Sequence, residues 1–234
     1  MGGNVRIVFW GSERGCHATS NMLILAGYLA CQKGYRITML ELAEEHCGVW
    51  NYFRGKREKY VVDFLKTLVD RQLYYVLTDE WDAYRGEWTT KVITYLEHNM
   101  DMVFINLANR TDDEARELLR NAHLVVVNIG QNLRAFDRFY ARYANLSANV
   151  LLMIGNYYED GECEREFLLK KYRITEEQLA VIPNNPEYEM ACDKRCVERY
   201  LRRNRRQWRT ARKNYFLKEL ERAAEQLCEA TKKR

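Results

Sequence analysis

The chain has 234 residues, 47% of them apolar and 30% charged, with a formal net charge of +4. That length suits one α/β domain or two small ones. No apolar run reaches the length of a membrane span and the first residues lack a basic-then-apolar leader, so the cytosol is the expected compartment. Seven scattered cysteines point to reduced thiols rather than a disulfide framework, and the two prolines, Pro183 and Pro186, argue against a disordered linker.

In chain order, short apolar runs alternate with helical patterns. Residues 5–10 read as a strand buried on both faces, Gly11 and Gly15 punctuate a loop, and an apolar helix follows over 19–33. A strand over 36–42, a helix over 61–71 and a short strand over 74–77 come next, then a helix over 89–99. Strands over 102–107, 124–129, 150–154 and 179–182 then alternate with helices over 112–121, 133–144 and 163–172, and a helix over 187–201 follows. In the last helix Phe216, Leu220, Ala223 and Leu227 fall on one face, which is expected to dock back on the domain. This alternation predicts a three-layer α/β fold, a doubly wound and mainly parallel sheet with helices on both faces and right-handed crossovers.

The first loop carries the most information. A strand, a glycine-containing loop and a helix N-terminus form the architecture that cradles phosphate, because the first N–H groups of a helix have no internal partner. No lysine lies in this loop. Four stretches together resemble the ParA/MinD-type ATPases, the deviant-Walker P-loop family of the SIMIBI class, including its CpaE-like branch tied to pilus assembly. The family pattern K-G-G-x-G-K-T-T falls without gaps on Glu13-Arg14-Gly15-Cys16-His17-Ala18-Thr19-Ser20. Asp101 to Asn106 resembles the Walker B strand D-x-x-x-x-D, and Asn156 follows a strand as the family's base-reading Asn does. Val181-Ile182-Pro183, with Ala191 downstream, resembles the family's V-I-P turn and the helix after it.

The resemblance implies ATP or ADP with Mg²⁺ as the ligand, held by Gly11, Gly15, Cys16, His17, Ala18, Thr19, Ser20, Asn106, Asn156 and Pro183. It places Thr19 at the Mg²⁺-coordinating hydroxyl. The departures are as specific as the matches. The signature lysine falls on Glu13, the phosphate-binding lysine on Ala18, and a glycine on His17. The Walker B acid falls on Asn106, and the D-x-D after the second strand becomes Glu41-Leu42-Ala43. Charge-assisted hydrogen bonds are worth about 1.5–3 kcal/mol each, so these losses together predict weak nucleotide binding and no hydrolysis. No cofactor is then required, and ATP or ADP with Mg²⁺ binds at low affinity. Family ATPases dimerise as a nucleotide sandwich in which the signature lysine crosses to the other subunit. Glu13 cannot do this, so a dimer needs another surface.

Several residues carry two readings. Thr19 or Ser20 is either a remnant of the metal site or the cap of the first helix. Asn156 either reads an adenine edge or serves a turn. Cys16-His17 and His46-Cys47 lie after adjacent strands and offer four N/S ligands of the kind zinc takes, while Cys16 alone, near a helix N-terminus, is a candidate low-pKa thiol. Cys192 and Cys196 read as helix packing. The aromatic stretch 73–88, with Tyr74, Tyr75, Trp81, Tyr84 and Trp88, is either a contact surface or a covering loop.

Charge is concentrated near the end. Between Lys194 and Lys213 stand ten cations against Glu198 alone, a local +9 within a chain of net +4. Arg202, Arg206, Arg209 and Lys213 share a helical face with Trp208 nearby, a candidate polyanion site for DNA or an anionic membrane surface, or else a solvated face. The chain is therefore expected as a ParA/MinD-like domain over residues 1–201 with a basic C-terminal helix over 202–234. By resemblance it acts as a non-hydrolysing binding or scaffold component with protein partners in a bacterial pilus, secretion or partitioning-type system, cytoplasmic or peripheral at the membrane. The competing expectations are an active or partner-completed ATPase, and a DNA- or membrane-surface-binding module.

Overall fold

Each apolar run of the sequence becomes a strand of one sheet. The computed structural model describes residues 5–42, 66–69, 73–76, 87–143, 149–161, 163–210 and 214–232. Strand β1 (Val5–Gly11) leads into helix α1 (Ala18–Tyr28), which continues as a π turn over Leu29–Lys33. There follow β2 (Ile37–Glu41), β3 (Lys66–Val69), β4 (Leu73–Val76), α2 (Glu87–Asn99), β5 (Met102–Ala108), α3 (Asp113–Asn121), β6 (Leu124–Asn128) and α4 (Leu133–Tyr143). The chain closes with β7 (Val150–Tyr157), α5 (Arg165–Tyr172), β8 (Leu179–Pro183), α6 (Pro186–Asp193), α7 (Val197–Thr210) and α8 (Tyr215–Thr231). The eight strands lie in the order β3-β4-β2-β5-β1-β6-β7-β8. Every neighbouring pair is parallel except β3–β4, which is antiparallel.

Because alternate side chains leave opposite faces of a strand, β1 feeds two cores. Ile7 and Phe9 join Met39, Phe104, Val126 and Met153 under α1, α6, α7 and α8. Val8 and Trp10 join Leu40, Val103, Ile105 and Val127 under α2, α3, α4 and α5. This is the expected three-layer arrangement, with each fully buried large side chain contributing about 1.5–3 kcal/mol. Helix α1 is buried along its whole length, wedged between the sheet and the last two helices. The expected docking face of α8 is confirmed: Phe216, Leu220, Ala223 and Leu227 are all buried. No helix among the described residues is long and apolar enough to cross a membrane.

Three expectations change. The helix expected over 61–71 is strand β3 at Lys66–Val69, where antiparallel pairing with β4 supplies the hydrogen bonds a short apolar run cannot satisfy alone. The rest of that stretch lies outside the described residues. The helix expected over 187–201 is divided: α6 ends at Asp193, Arg195 takes a left-handed φ of 52°, and α7 begins at Val197. The boundary expected at 201/202 thus falls inside α7, so the basic residues and the docking face belong to two successive helices.

Candidate functional site

The loop from Ser12 to His17 crosses the C-terminal edge of the sheet, where open α/β sheets bind ligands. Two residues give it its shape. Gly15 has φ +77°, and His17, the residue that opens α1, has φ 64° and ψ 20°. These are two positions where the family pattern has glycine. His17 holds this left-handed conformation with a side chain, at a cost of roughly 1–2 kcal/mol. Gly11 is constrained for a different reason: a Cβ there would lie 2.5 Å from Cys16 Sγ, so the cysteine side chain packs over the end of β1. Burial pushes the Cys16 thiol up from its ordinary value, which overturns its reading as a low-pKa thiol.

Behind the loop, Asn106 organises a buried polar cluster. Its amide nitrogen donates to Thr19 Oγ1 at 2.9 Å and to both carboxylate oxygens of Glu41 at 3.2 Å, while its Oδ1 accepts from the N–H of Ala108 at 3.0 Å. Asn106 is fully buried and Glu41 is 7% exposed. A carboxylate only accepts, so Glu41 sets the orientation of the amide. Neither Thr19 nor Ser20 caps α1, whose N-cap is His17 without a side-chain bond. The Thr19 hydroxyl faces Asn106, and Ser20 Oγ donates to the carbonyl of His17 at 3.0 Å. Ala18, in the lysine position, is the first residue of α1 and is buried.

Glu13 turns to its own chain. Its carboxylate pairs with Arg138 of α4 and lies against Gly130. At the other side of the edge, Asn156 has φ 52°, and its carboxamide oxygen accepts from Asn184, next to Pro183 at the end of β8. Asn156 and Pro183 are thus brought together, while Asn106 stands on the far side of β1. Each of the two asparagines lies beside a register irregularity of its strand, between Phe9 and Trp10 in the β1–β5 pair and between Ile154 and Tyr157 in the β7–β8 pair.

Other site positions are divided. Ala43, His46 and Cys47 lie outside the described residues, as do Trp81, Tyr84 and Lys213. Among the described residues no three or more His, Cys, Asp or Glu side chains gather as metal ligands. On α7, Arg202 and Arg206 are exposed, with Arg202 ion-paired to Glu198 at 2.7 Å. Trp208 is not part of the basic face but is buried against Tyr28 and Tyr200.

Sequence reading missed the residues that brace this edge. Asn21 donates to Asn128 Oδ1 at 2.8 Å, and Asn128 donates to the Trp10 carbonyl at 3.2 Å, tying α1 to β6 and β1. Tyr188 of α6 donates to the Ser20 carbonyl at 2.6 Å. Arg110 donates to the Leu42 carbonyl and to Asp112 and Glu114, and its hydrogen bond holds the Asp112 carboxyl at about 2. The available signal was a polar residue interrupting an apolar run, as Asn21 does in α1 and Asn128 at the end of β6.

No family model matches the sequence, and no curated protein does. Solved structures match in fold. The cell division ATPase MinD of Pyrococcus furiosus is 12% identical with a TM-score of 0.71, over 97% of this chain and 99% of that one. A ParA family ATPase from Chlorobium tepidum is 10% identical with a TM-score of 0.70, over 96% and 99%. A plasmid partition protein of Borrelia burgdorferi, solved bound to AMPPNP, is 14% identical with a TM-score of 0.68, over 96% and 98%. The fold is therefore the α/β P-loop NTPase-like fold of ParA/MinD ATPases.

The brace makes Gly155 of β7 a sensitive position. A Cβ there would come within 2.4 Å of Asn21 Oδ1, and Asn21 cannot move aside without breaking its buried bond to Asn128. Gly155→Ala is expected to lose about 1–3 kcal/mol in denaturant unfolding. In an Asn21→Ala background the same change should cost clearly less, so a double-mutant cycle checks the contact.

Proposed function

We propose that the chain is a non-hydrolysing protein of ParA/MinD fold that works as a binding or scaffold component, in the bacterial pilus- or secretion-type assembly that its CpaE-like resemblance implies. The observation that carries this reading is the bonding of Asn106 to Thr19 and Glu41. The MinD of Pyrococcus horikoshii, of the same fold, was solved with Mg-ADP. In this chain the hydroxyl in the Mg²⁺ position already accepts a hydrogen bond, and both amide hydrogens of Asn106 are engaged. Residues 11–20 offer no lysine to a triphosphate, and Glu13 adds a carboxylate at the loop. These residues do not fit a tightly held Mg²⁺–triphosphate, and phosphoryl transfer depends on the positioning and charge neutralisation they lack.

ATP turnover by pure protein is expected at background. Steady Mg²⁺-dependent turnover that Thr19→Ala abolishes would favour the competing reading, an ATPase that is active or completed by a partner's lysine. Because the backbone at residues 15 and 17 is left-handed, the double substitution His17→Gly with Ala18→Lys is expected to strengthen ATP binding by about tenfold or more in calorimetry. No gain would contradict the view that the loop retains a phosphate-cradling shape.

A second reading is favoured by the exposure of Arg202 and Arg206 on one face of α7, opposite the buried Leu201, Asn204 and Trp208. With Arg209 and Lys213, which continue the same helical spacing in the sequence, they are the candidates for binding DNA or anionic lipid. If about four side chains engage phosphates, DNA binding should fall with salt at a log–log slope near −3 to −4. Replacing the four by Glu should remove it while thermal unfolding stays unchanged. Absence of binding to both duplex DNA and anionic vesicles at low salt would dismiss this reading.

A further inference from the structure

Helices α6 and α7 enclose a surface cavity of about 270 Å³ that lies apart from the loop described above. The turn between the two helices creates it. The left-handed turn at Arg195, with the Cys196 N–H donating to the Ala191 carbonyl at 2.8 Å, sets the first turns of α7 against α6. The floor is apolar. Ala191 and Tyr200 line it and are nearly buried, while Met190 stands 48% exposed at its rim.

The walls are charged and unbalanced. Lys194, Arg199 and Arg203 line the cavity with Glu187 as the single acid. Arg203 pairs with Glu187 at 2.6 Å and lies over the Tyr200 ring at 6.0 Å from its centroid. Arg199 makes no hydrogen bond or ion pair among the described residues and is exposed. A guanidinium near a half-exposed methionine, whose sulfur the Lys194 ammonium contacts at 3.2 Å, asks for a ligand that is acidic and apolar at once.

We propose that this cavity is the docking site for an acidic peptide segment of a protein partner, one that places a single apolar side chain on Met190, Ala191 and Tyr200 and carboxylates on Arg199 and Lys194. The proposal rests on the reading of the chain as a binding component and names the chemistry of what it binds. Nucleic acid fits less well, because its phosphates have no use for the apolar floor. An enclosed small molecule also fits less well. The volume falls below the roughly 300–1,000 Å³ of pockets that bury such ligands, and it matches one anchoring side chain.

The test is selection of a random peptide display library on the full-length protein, counter-selected on the Met190→Asp/Arg199→Glu variant. Both positions are exposed, so the variant should fold, and matching thermal unfolding curves check that it does. Enriched peptides are expected to carry Asp or Glu on either side of one Leu, Phe, Met or Ile. A synthetic peptide of the enriched sequence should bind about tenfold or more weakly to Arg199→Glu alone. It should also slow maleimide labelling of Cys196, which lines the cavity. Four results would overturn the proposal: no enrichment over the variant, enrichment of basic or purely apolar peptides, unchanged labelling of Cys196, or displacement of the peptide by duplex DNA with no effect of Met190→Asp. Such a failure with ATP turnover still at background would remove the cavity and leave the non-hydrolysing reading. Turnover above background would remove that reading whatever the peptides do.

Discussion

The carboxamide of Asn106 holds the working edge of the sheet together. It reaches from β5 to Thr19 on α1 and to Glu41 at the end of β2, and its oxygen closes the turn at Ala108. Both donors and the acceptor are engaged, in a site closed to water. Hydrogen bonds to a charged partner are worth about 1.5–3 kcal/mol each, and leaving a buried carboxylate without one costs at least as much. An ionised aspartate at this position would set a second negative charge against Glu41 in place of the amide donor. The asparagine is therefore matched to the glutamate.

The rest of the edge follows the same logic. The backbone of the first loop retains left-handed turns at Gly15 and His17, so the path of the chain outlasts the glycine that would make it easy. Side chains of the chain itself occupy the places around it. Cys16 covers Gly11, Glu13 closes on Arg138, and Asn156 is held by Asn184. Of Cys16, Glu13 and Asn156 only Glu13 is charged, and its carboxylate is used for an internal contact. Lys194, Arg199 and Arg203 line the cavity that α6 and α7 share.

Much of this was legible in the sequence, for physical reasons. Parallel strands buried on both faces leave continuous apolar runs, so β1, β2, β5, β6 and β8 were found within a residue of their ends, while β7 runs three residues beyond its expected end, through Gly155 and Asn156 to Tyr157. Thr19, Asn106, Asn156 and Pro183 were located by pattern, and all lie at the expected edge. What the pattern could not supply was pairing. Nothing in residues 66–69 distinguishes a strand from a helical turn until β4 lies beside it. Nor does spacing show that Asn21 meets Asn128 across more than a hundred residues, or that Glu13 meets Arg138. The turn at Arg195 was hidden because neither proline nor glycine marks it.

The central claim is that Asn106 replaces a metal by hydrogen bonds. Unfolding free energies of the wild type and Asn106→Asp, each with and without Mg²⁺ at neutral pH, test it most directly. The account predicts a wild type indifferent to Mg²⁺. It predicts an Asn106→Asp variant less stable by about 3 kcal/mol or more in the absence of metal, because two carboxylates then share one buried site, with part of the loss restored by Mg²⁺. A variant as stable as the wild type without metal, or a wild type that Mg²⁺ stabilises, would contradict it.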